Sequence, residues 1–475
     1  MKMFIRGEWT QTERSSQVRN PYSNEVVDEV PLATRADAER AIGAAIEGSA
    51  IMRQQTAYDR CEVLRRAVKL VRERADEFAE TISQEEGKTL AEAKFEVSRG
   101  IETLSLSADE AKRIGGETLP MDAAPGGANA FGFTMRVPCG VVVAITPFNF
   151  PLNLVCHKVG PAIAAGNAVV LKPASDTPLT ALKLVGAILD AGLPPLGIQC
   201  ITGGGRDIGD SLCSDPRVRK ISFTGSYDVG QRICQSAGVK RVTMELGANC
   251  PLIVMPDADM QRVLDAIVTT GYGNAGQVCI STQRVVGIGS AYEALRDSLT
   301  ERVKQLNCGD PMGVNTNIGP MIREADAIRV REWIDEAVAA GAQLLCGGER
   351  DKALLTPSVV AEVKPEMKIC REELFGPAVG LARAKTLDEA ISLANDSRYG
   401  LSAAIFTRDI DQAMTFAREA ESGNIHINWG PGWRADLMPY GGLKESGIGK
   451  EGPRYAVREM TEEKTVVVHL QAKKS

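Results

Sequence analysis

Histidine is scarce: 475 residues contain only three, His157, His426 and His469. A multi-histidine metal centre or a histidine-based triad has little to build on. The eleven cysteines are scattered, with no Cys-x-x-Cys pair and no Cys/His grouping at zinc spacing, so no metal site is expected. No apolar run approaches the ~20 residues that a membrane span needs, which excludes a spanning helix. The longest, GVVVAITPF and AGNAVVL, have the length of buried strands. The opening MKMFIRGEWT carries Lys2, Arg6 and Glu8 and has no apolar signal core, so no signal peptide is expected. Together with the unpaired thiols this points to a reducing, cytoplasmic setting. There is no basic excess either. Fifty-five Lys and Arg against 61 Asp and Glu give a net charge of −6, which argues against a general nucleic-acid surface. Internal repeats and low-complexity tracts are absent.

What is present is ordinary soluble-protein material in a chain too long for one core, so two or three domains are expected. Tyr58 to Ile114 reads as helix, with Leu64, Val68 and Val71 recurring at helical spacing among Arg and Glu. GGETLPMDAAPGGANAFGF interrupts it. Beyond this, GVVVAITPF, AVVLKPA, IQCITG and KISFTGS read as strands. NLVCHKVGPAIAAG, PLTALKLVGAILDAG and RDIGDSLCS read as the helices between them. Such alternation predicts an α/β fold with a doubly wound parallel sheet covered on both faces. A second α/β series runs from CPLIVMPDADMQRVLDAIV to GNIHINW, and KTVVVHLQ is a β-rich tail without a local partner.

Several short motifs sit where such sheets do chemistry. TPFNFPLN puts Asn149 just after a strand, where its amide either caps a turn between two prolines or donates to developing negative charge. VVLKPAS ends another strand with Lys172 and Ser175, either surface residues or ligand contacts. In FTGSYDVG, Gly225, Ser226 and Gly230 occupy a strand-to-helix junction whose backbone suits a phosphate, although the spacing is not Gly-x-Gly-x-x-Gly. Glu245 in MELGANCP is either a base with a raised pKa or the partner of Arg241. REELFGPAVG offers Glu373 and Phe375, and MPYGGLKESGIGKEG is a glycine-rich loop with Tyr440. GYGNAGQVCIST surrounds Cys279 with the small residues Gly273, Ala275 and Gly276, which leave room for a reacting carbonyl. The other cysteines lie mostly in apolar runs, as core filling.

In this order, TPFNFP, LKP, FTGS, ELG, GQVC, EELFGP and PYGG-K-SG-G resemble the aldehyde dehydrogenase superfamily along nearly the whole chain. The one mild departure is Tyr440, where many members have Phe. The resemblance implies that Cys279 attacks an aldehyde carbonyl, that Asn149 and the Cys279 N–H hold the oxyanion, and that Glu245 activates the hydrolytic water. It implies an NAD or NADP cofactor on Lys172, Gly225, Ser226, Glu373 and Phe375. Ser175, in place of the Glu of many NAD-specific members, resembles the NADP-accepting arrangement, with Asp176 adding an opposing charge. The implied architecture is a Rossmann-like cofactor domain (1–118 and 139–247), a catalytic domain (248–448) and a small oligomerisation element (119–138 and 449–475). Its apolar terminal strand would join another subunit in a homodimer or homotetramer.

For the substrate, His157 stands where members acting on apolar aldehydes often carry a large aromatic and succinate-semialdehyde members an arginine. Arg99 and Arg434 are expected near the same cavity, a pattern resembling members that oxidise small hydroxylated or anionic aldehydes. The alternatives are Arg99 pairing with Glu96 or Glu102 and His157 as a core residue. A succinate-semialdehyde-type enzyme, a coenzyme-A-acylating enzyme and a non-enzymatic use of the fold are the competing readings. Retention of Cys279 and Glu245 argues against the last two.

Overall fold

A computed structural model describes residues 1–471, the side chain of Asp207 excepted. The last four residues of the expected 449–475 element lie outside the described residues. Two large sheets organise the chain. The first has eight strands. Five of them are parallel: Val141–Ile145, Ala168–Lys172, Ile198–Cys200, Lys220–Thr224 and Arg241–Glu245. Across the sheet they lie third, second, first, fourth, fifth, so the order reverses at Val141–Ile145. In an open parallel sheet, ligands bind at the carboxyl ends beside such a reversal. Met3–Ile5 and Gly447–Ile448 add antiparallel neighbours at either side.

Both faces of this sheet are covered, and the alternation of side chains decides which residue goes where. Val142, Ala144, Val169 and Leu171 pack into a core with the helices Ala57–Glu73, Leu90–Ala111, Asn153–Ala164 and Leu179–Asp190. Val141, Val143, Ile145 and Val170 face the opposite way, toward Arg35–Gln54, Gly205–Ser214 and Tyr227–Ala237. The expected helical run from Tyr58 to Ile114 is three helices, Ala57–Glu73, Ala75–Glu86 and Leu90–Ala111. Gly87, at a φ of +89°, ends the second, and a Cβ there would come within 2.9 Å of Pro320. Thr89 then starts the third with a capping box closed by Glu92.

The second sheet has seven strands with Thr282–Ile288 and Cys250–Val254 at its middle. It too is buried on both faces: Leu252, Val254 and Val285 enter one core, Ile253, Val286 and Ile288 the other. The terminal strand Thr461–His469 finds its partner within the chain. It runs antiparallel to Ala130–Pro138, from Thr461 opposite Pro138 to His469 opposite Ala130. Among the described residues no helix is long and apolar enough to cross a membrane.

Candidate active site

Five motif residues stand at the carboxyl ends of neighbouring parallel strands. Lys172 closes Ala168–Lys172, Glu245 closes Arg241–Glu245, Gly225 and Ser226 follow Lys220–Thr224, and Asn149 comes four residues after Ile145. The second sheet brings Cys279 to meet them, on the turn that precedes Thr282–Ile288. The turn is unusual. Asn274 and Ala275 both have φ of +52°, and Gly276 has +70°. Non-glycine residues avoid this region unless their surroundings hold them there. Glu92 supplies part of that hold by accepting the Asn274 N–H at 2.7 Å, and Glu86 accepts its side-chain amide at 2.9 Å. Gly276 must be glycine for a second reason: a Cβ would lie 2.1 Å from the Gly376 carbonyl. The small residues around Cys279 thus let two loops touch.

The Asn149 amide donates to the Gln277 carbonyl at 2.8 Å, which aims it at the same turn. Behind it, Lys88 donates to the Asn149 carbonyl at 2.8 Å and pairs with Glu96 at 2.6 Å, all three buried. Cys279 is half-buried, and its sulfur lies 3.2 Å from the Tyr440 hydroxyl. Burial, outweighing the Tyr440 hydrogen bond, pushes its thiol up to about 12, and Glu245 and Glu373 act in the same direction as burial when ionised, so the resting form is the thiol. Of the other cysteines, seven are buried (Cys61, Cys139, Cys156, Cys200, Cys213, Cys250 and Cys370) and three are half-buried.

Glu245 is buried, and neither carboxylate oxygen has a hydrogen-bond partner among the described residues. Arg241, considered as its partner from sequence, is exposed at the other end of the strand. Burial, and then the charge of Glu451, raise the Glu245 pKa well above the carboxylate range. Glu451 is the opposite case. Burial alone would raise it, but Lys158 at 2.7 Å and Arg434 at 3.2 Å outweigh that and hold it at about 2. Of the two neighbouring carboxyls, Glu245 keeps the proton and Glu451 the charge.

Arg99, His157 and Arg434 do come together, but not as three groups facing a cavity. His157 is fully buried; burial, then the Arg434 charge, lower its pKa to about 4, so it is neutral. Its Nε2 lies 2.9 Å from Asp436 and its Nδ1 3.3 Å from Arg434 Nη2. A carboxylate only accepts and a guanidinium only donates, so Nε2 carries the proton and Nδ1 receives one hydrogen bond. Arg99 grips Asp436 with two N–H groups at 2.8 and 3.1 Å, in place of the Glu96 or Glu102 pairing considered from sequence. Glu96 is occupied by Lys88 and by the N–H groups of Leu152 and Asn153. The resulting buried chain runs Arg99–Asp436–His157–Arg434–Glu451–Lys158. Sequence reading missed Asp436, Glu451 and Lys158. One signal was available for the last, since a lysine within the apolar helix NLVCHKVGPAIA has to be buried and therefore paired.

A dinucleotide fits the strand ends. Lys172 is buried with its ammonium bonded to the Pro173 carbonyl at 2.9 Å, and burial lowers its pKa to about 8. Glu373 accepts the Ala248 N–H at 3.0 Å, and burial raises it to about 7. Such under-partnered buried polar groups suit ribose hydroxyls or phosphate oxygens. Helix Tyr227–Ala237 begins at Ser226 with no side-chain cap, its N–H end open to a phosphate. Phe375, held at a φ of +46°, packs edge-on against Phe148 at 5.9 Å.

The aldehyde dehydrogenase family model matches residues 9–466. The chain belongs to the aldehyde dehydrogenase family. It is therefore an NAD(P)-dependent oxidoreductase that converts an aldehyde to its carboxylic acid. It is similar to the 3-sulfolactaldehyde dehydrogenase of Priestia megaterium, 47% identical over 468 residues and 98% of each chain. Aldehyde dehydrogenase 21 of Physcomitrella patens, solved with the reaction product succinate, superposes with a TM-score of 0.96 at 38% identity, covering 98% of each chain. Glyceraldehyde-3-phosphate dehydrogenase GapN of Methanocaldococcus jannaschii, solved with NADP, superposes with a TM-score of 0.93 at 37% identity, over 96% of this chain and all of that one.

Proposed function

We propose that this dehydrogenase oxidises a small aldehyde with a hydroxylated or anionic tail, using water as the acyl acceptor and NADP as the preferred cofactor. The observation that carries the substrate reading is the Arg434 guanidinium. Its side chain is only 5% exposed, its Nε has no partner among the described residues, and it lies 3.8 Å above the ring of Tyr440, whose hydroxyl meets Cys279. A buried N–H with nothing to donate to is costly unless a ligand satisfies it. The relatives support the same chemistry, since sulfolactaldehyde and the succinate product each carry an anionic group away from the reacting carbon.

In this reading Cys279 Sγ bonds to the aldehyde carbon, and the carbonyl oxygen becomes an oxyanion held by the Asn149 amide and the Cys279 N–H. The bound oxidised nicotinamide supplies the hydride acceptor, which leaves a thioester on Cys279. Glu245 then takes a proton from water as its oxygen attacks the thioester carbon; the C–S bond breaks and the acid departs. Lys172, Ser175, Gly225, Ser226, Glu373 and Phe375 hold the dinucleotide.

The test of the substrate reading is Arg434→Ala. A guanidinium contact to an anion contributes roughly 1.5–3 kcal/mol. The specificity constant for an anionic aldehyde is then expected to fall about ten- to a hundredfold more than that for propanal. Equal losses on the two substrates would mean that Arg434 serves only the buried chain.

Two features support NADP. Ser175 sets no negative charge against a 2′-phosphate, and its small hydroxyl, which donates to the Gly203 carbonyl at 3.0 Å, can rotate to donate to a phosphate oxygen instead. The adjacent Asp176 charge is paired with Arg323, with Nε at 3.1 Å. A carboxylate introduced by Ser175→Glu would repel the 2′-phosphate. The Michaelis constant for NADP is expected to rise about tenfold or more, with that for NAD little changed. Equal effects on both would place Ser175 away from the adenosine ribose.

We also assign the ribbon of Ala130–Pro138 and Thr461–His469 to self-association as a homodimer or homotetramer. Phe131, Met135, Val467 and Val468 are exposed on it, and Thr461–His469 is an edge strand. Sedimentation velocity of the full chain reads this directly, and a monomer at micromolar concentration would overturn it.

A further inference from the structure

We propose that Tyr440 is a further catalytic residue, its hydroxyl donating a hydrogen bond to Cys279 Sγ that stabilises the thiolate when the resting thiol gives up its proton. The proposal rests on Cys279 being the nucleophile and adds to that reading. Tyr440 is buried with Ala248, Cys250, Ile280 and Leu401, where a phenylalanine ring would fill nearly the same volume. Packing therefore accounts for the ring but not for the hydroxyl. A buried phenol needs a partner, and among the described residues the partner of this one is the Cys279 sulfur at 3.2 Å. The direction follows from the donor chemistry. A thiol is a weak donor and a thiolate only accepts, so the phenol gives the proton to the hydrogen bond.

The surroundings make such a donor necessary. When ionised, Glu245, at the end of its strand, and Glu373, on the loop before Phe375, both disfavour a negative sulfur, and the Cys250 thiol is spent on the Cys279 carbonyl at 3.5 Å. Only Arg434 and Tyr440 among these neighbours favour it. They act as one unit. Tyr440 and Glu451 exchange backbone hydrogen bonds at 3.1 and 2.7 Å, the Glu451 side chain holds Arg434, and the guanidinium covers the Tyr440 ring. A cation over the ring face stabilises electron density on the phenol oxygen side and makes its O–H a stronger donor. The donor is thus fixed before substrate arrives. Ionisation itself is simple: Cys279 loses one proton to solvent, and Tyr440 keeps its own.

The experiment is the rate of iodoacetamide alkylation of Cys279 against pH, located by mass spectrometry, in the full-length wild type and Tyr440→Phe. At a fixed pH below the thiol pKa the variant is expected to react about tenfold more slowly or less, with the titration limb moved up by about one unit or more. Superimposed profiles in a variant with wild-type circular dichroism would overturn the proposal. If Tyr440→Phe does not fold, 3-fluorotyrosine placed at 440 keeps the ring and acidifies the hydroxyl. It is expected to speed alkylation, and an unchanged rate overturns the proposal. Failure of the underlying nucleophile reading looks different, because Cys279→Ala would then retain turnover whatever the alkylation profiles show.

Discussion

Cys279→Ala is expected to lower aldehyde oxidation by about a thousandfold or more, the scale seen when a covalent nucleophile is removed. No neighbouring thiol is placed to take over. Cys250 is buried, its sulfur hydrogen-bonds the Cys279 carbonyl at 3.5 Å, and burial pushes its own thiol well up, so it is held as the neutral thiol. The fold should tolerate the change, since the substitution removes one half-buried sulfur and leaves the strained turn in the grip of Glu86 and Glu92. Dinucleotide affinity, followed by fluorescence titration, should stay within about twofold, because the residues assigned to it lie on other segments of the chain. Residual turnover above a few per cent of wild type would remove Cys279 from the reaction. Loss of dinucleotide binding alongside activity would instead show that the turn had moved.

The second large effect is expected from Glu245→Gln, and it is one of timing. If Glu245 activates only the hydrolytic water, the first turnover proceeds and the thioester then accumulates. A burst of reduced cofactor equal to the enzyme sites should precede a steady rate lowered about a hundred- to ten-thousandfold. Intact-mass measurement during the steady phase should show the acylated chain. The substitution is clean because neither Glu245 oxygen has a partner among the described residues, whereas changing Glu451 would strip Lys158 and Arg434. The pH dependence follows from the raised pKa of Glu245. Only the carboxylate can accept a proton, so wild-type steady turnover should climb with pH as Glu245 ionises. The glutamine variant should lack that limb. A variant with wild-type steady turnover would mean that another group activates the water.

Much of this site is legible in the sequence because strand ends are locally encoded. Lys172, Glu245 and Asn149 each follow a short apolar run, and an alternating run ends in the crevice of a parallel sheet wherever the chain places it. The small residues before Cys279 are readable for the same reason: Gly276 at +70° leaves little choice of residue. The helical reading of Tyr58 to Ile114 shows where local reading stops. The apolar spacing is correct, but Gly87 and the Thr89 capping box divide the run.

What the sequence determined by itself is the type of fold, the order of its strands and helices, and the residues at the strand ends. These depend on periodicity and turn chemistry within windows of about ten to twenty residues. What only the tertiary structure decided is who pairs with whom. Arg99 has carboxylates three residues to either side, yet it is Asp436, 337 positions away, that it grips. Glu245 and Glu451 are the same residue type in the same pocket, yet one keeps a proton and the other a charge, because Lys158 and Arg434 reach only Glu451 with hydrogen bonds or ion pairs. Burial removes water as the universal partner, so a charged group inside the protein takes its state from whichever groups folding brings within a few ångströms, and chain separation carries no information about that.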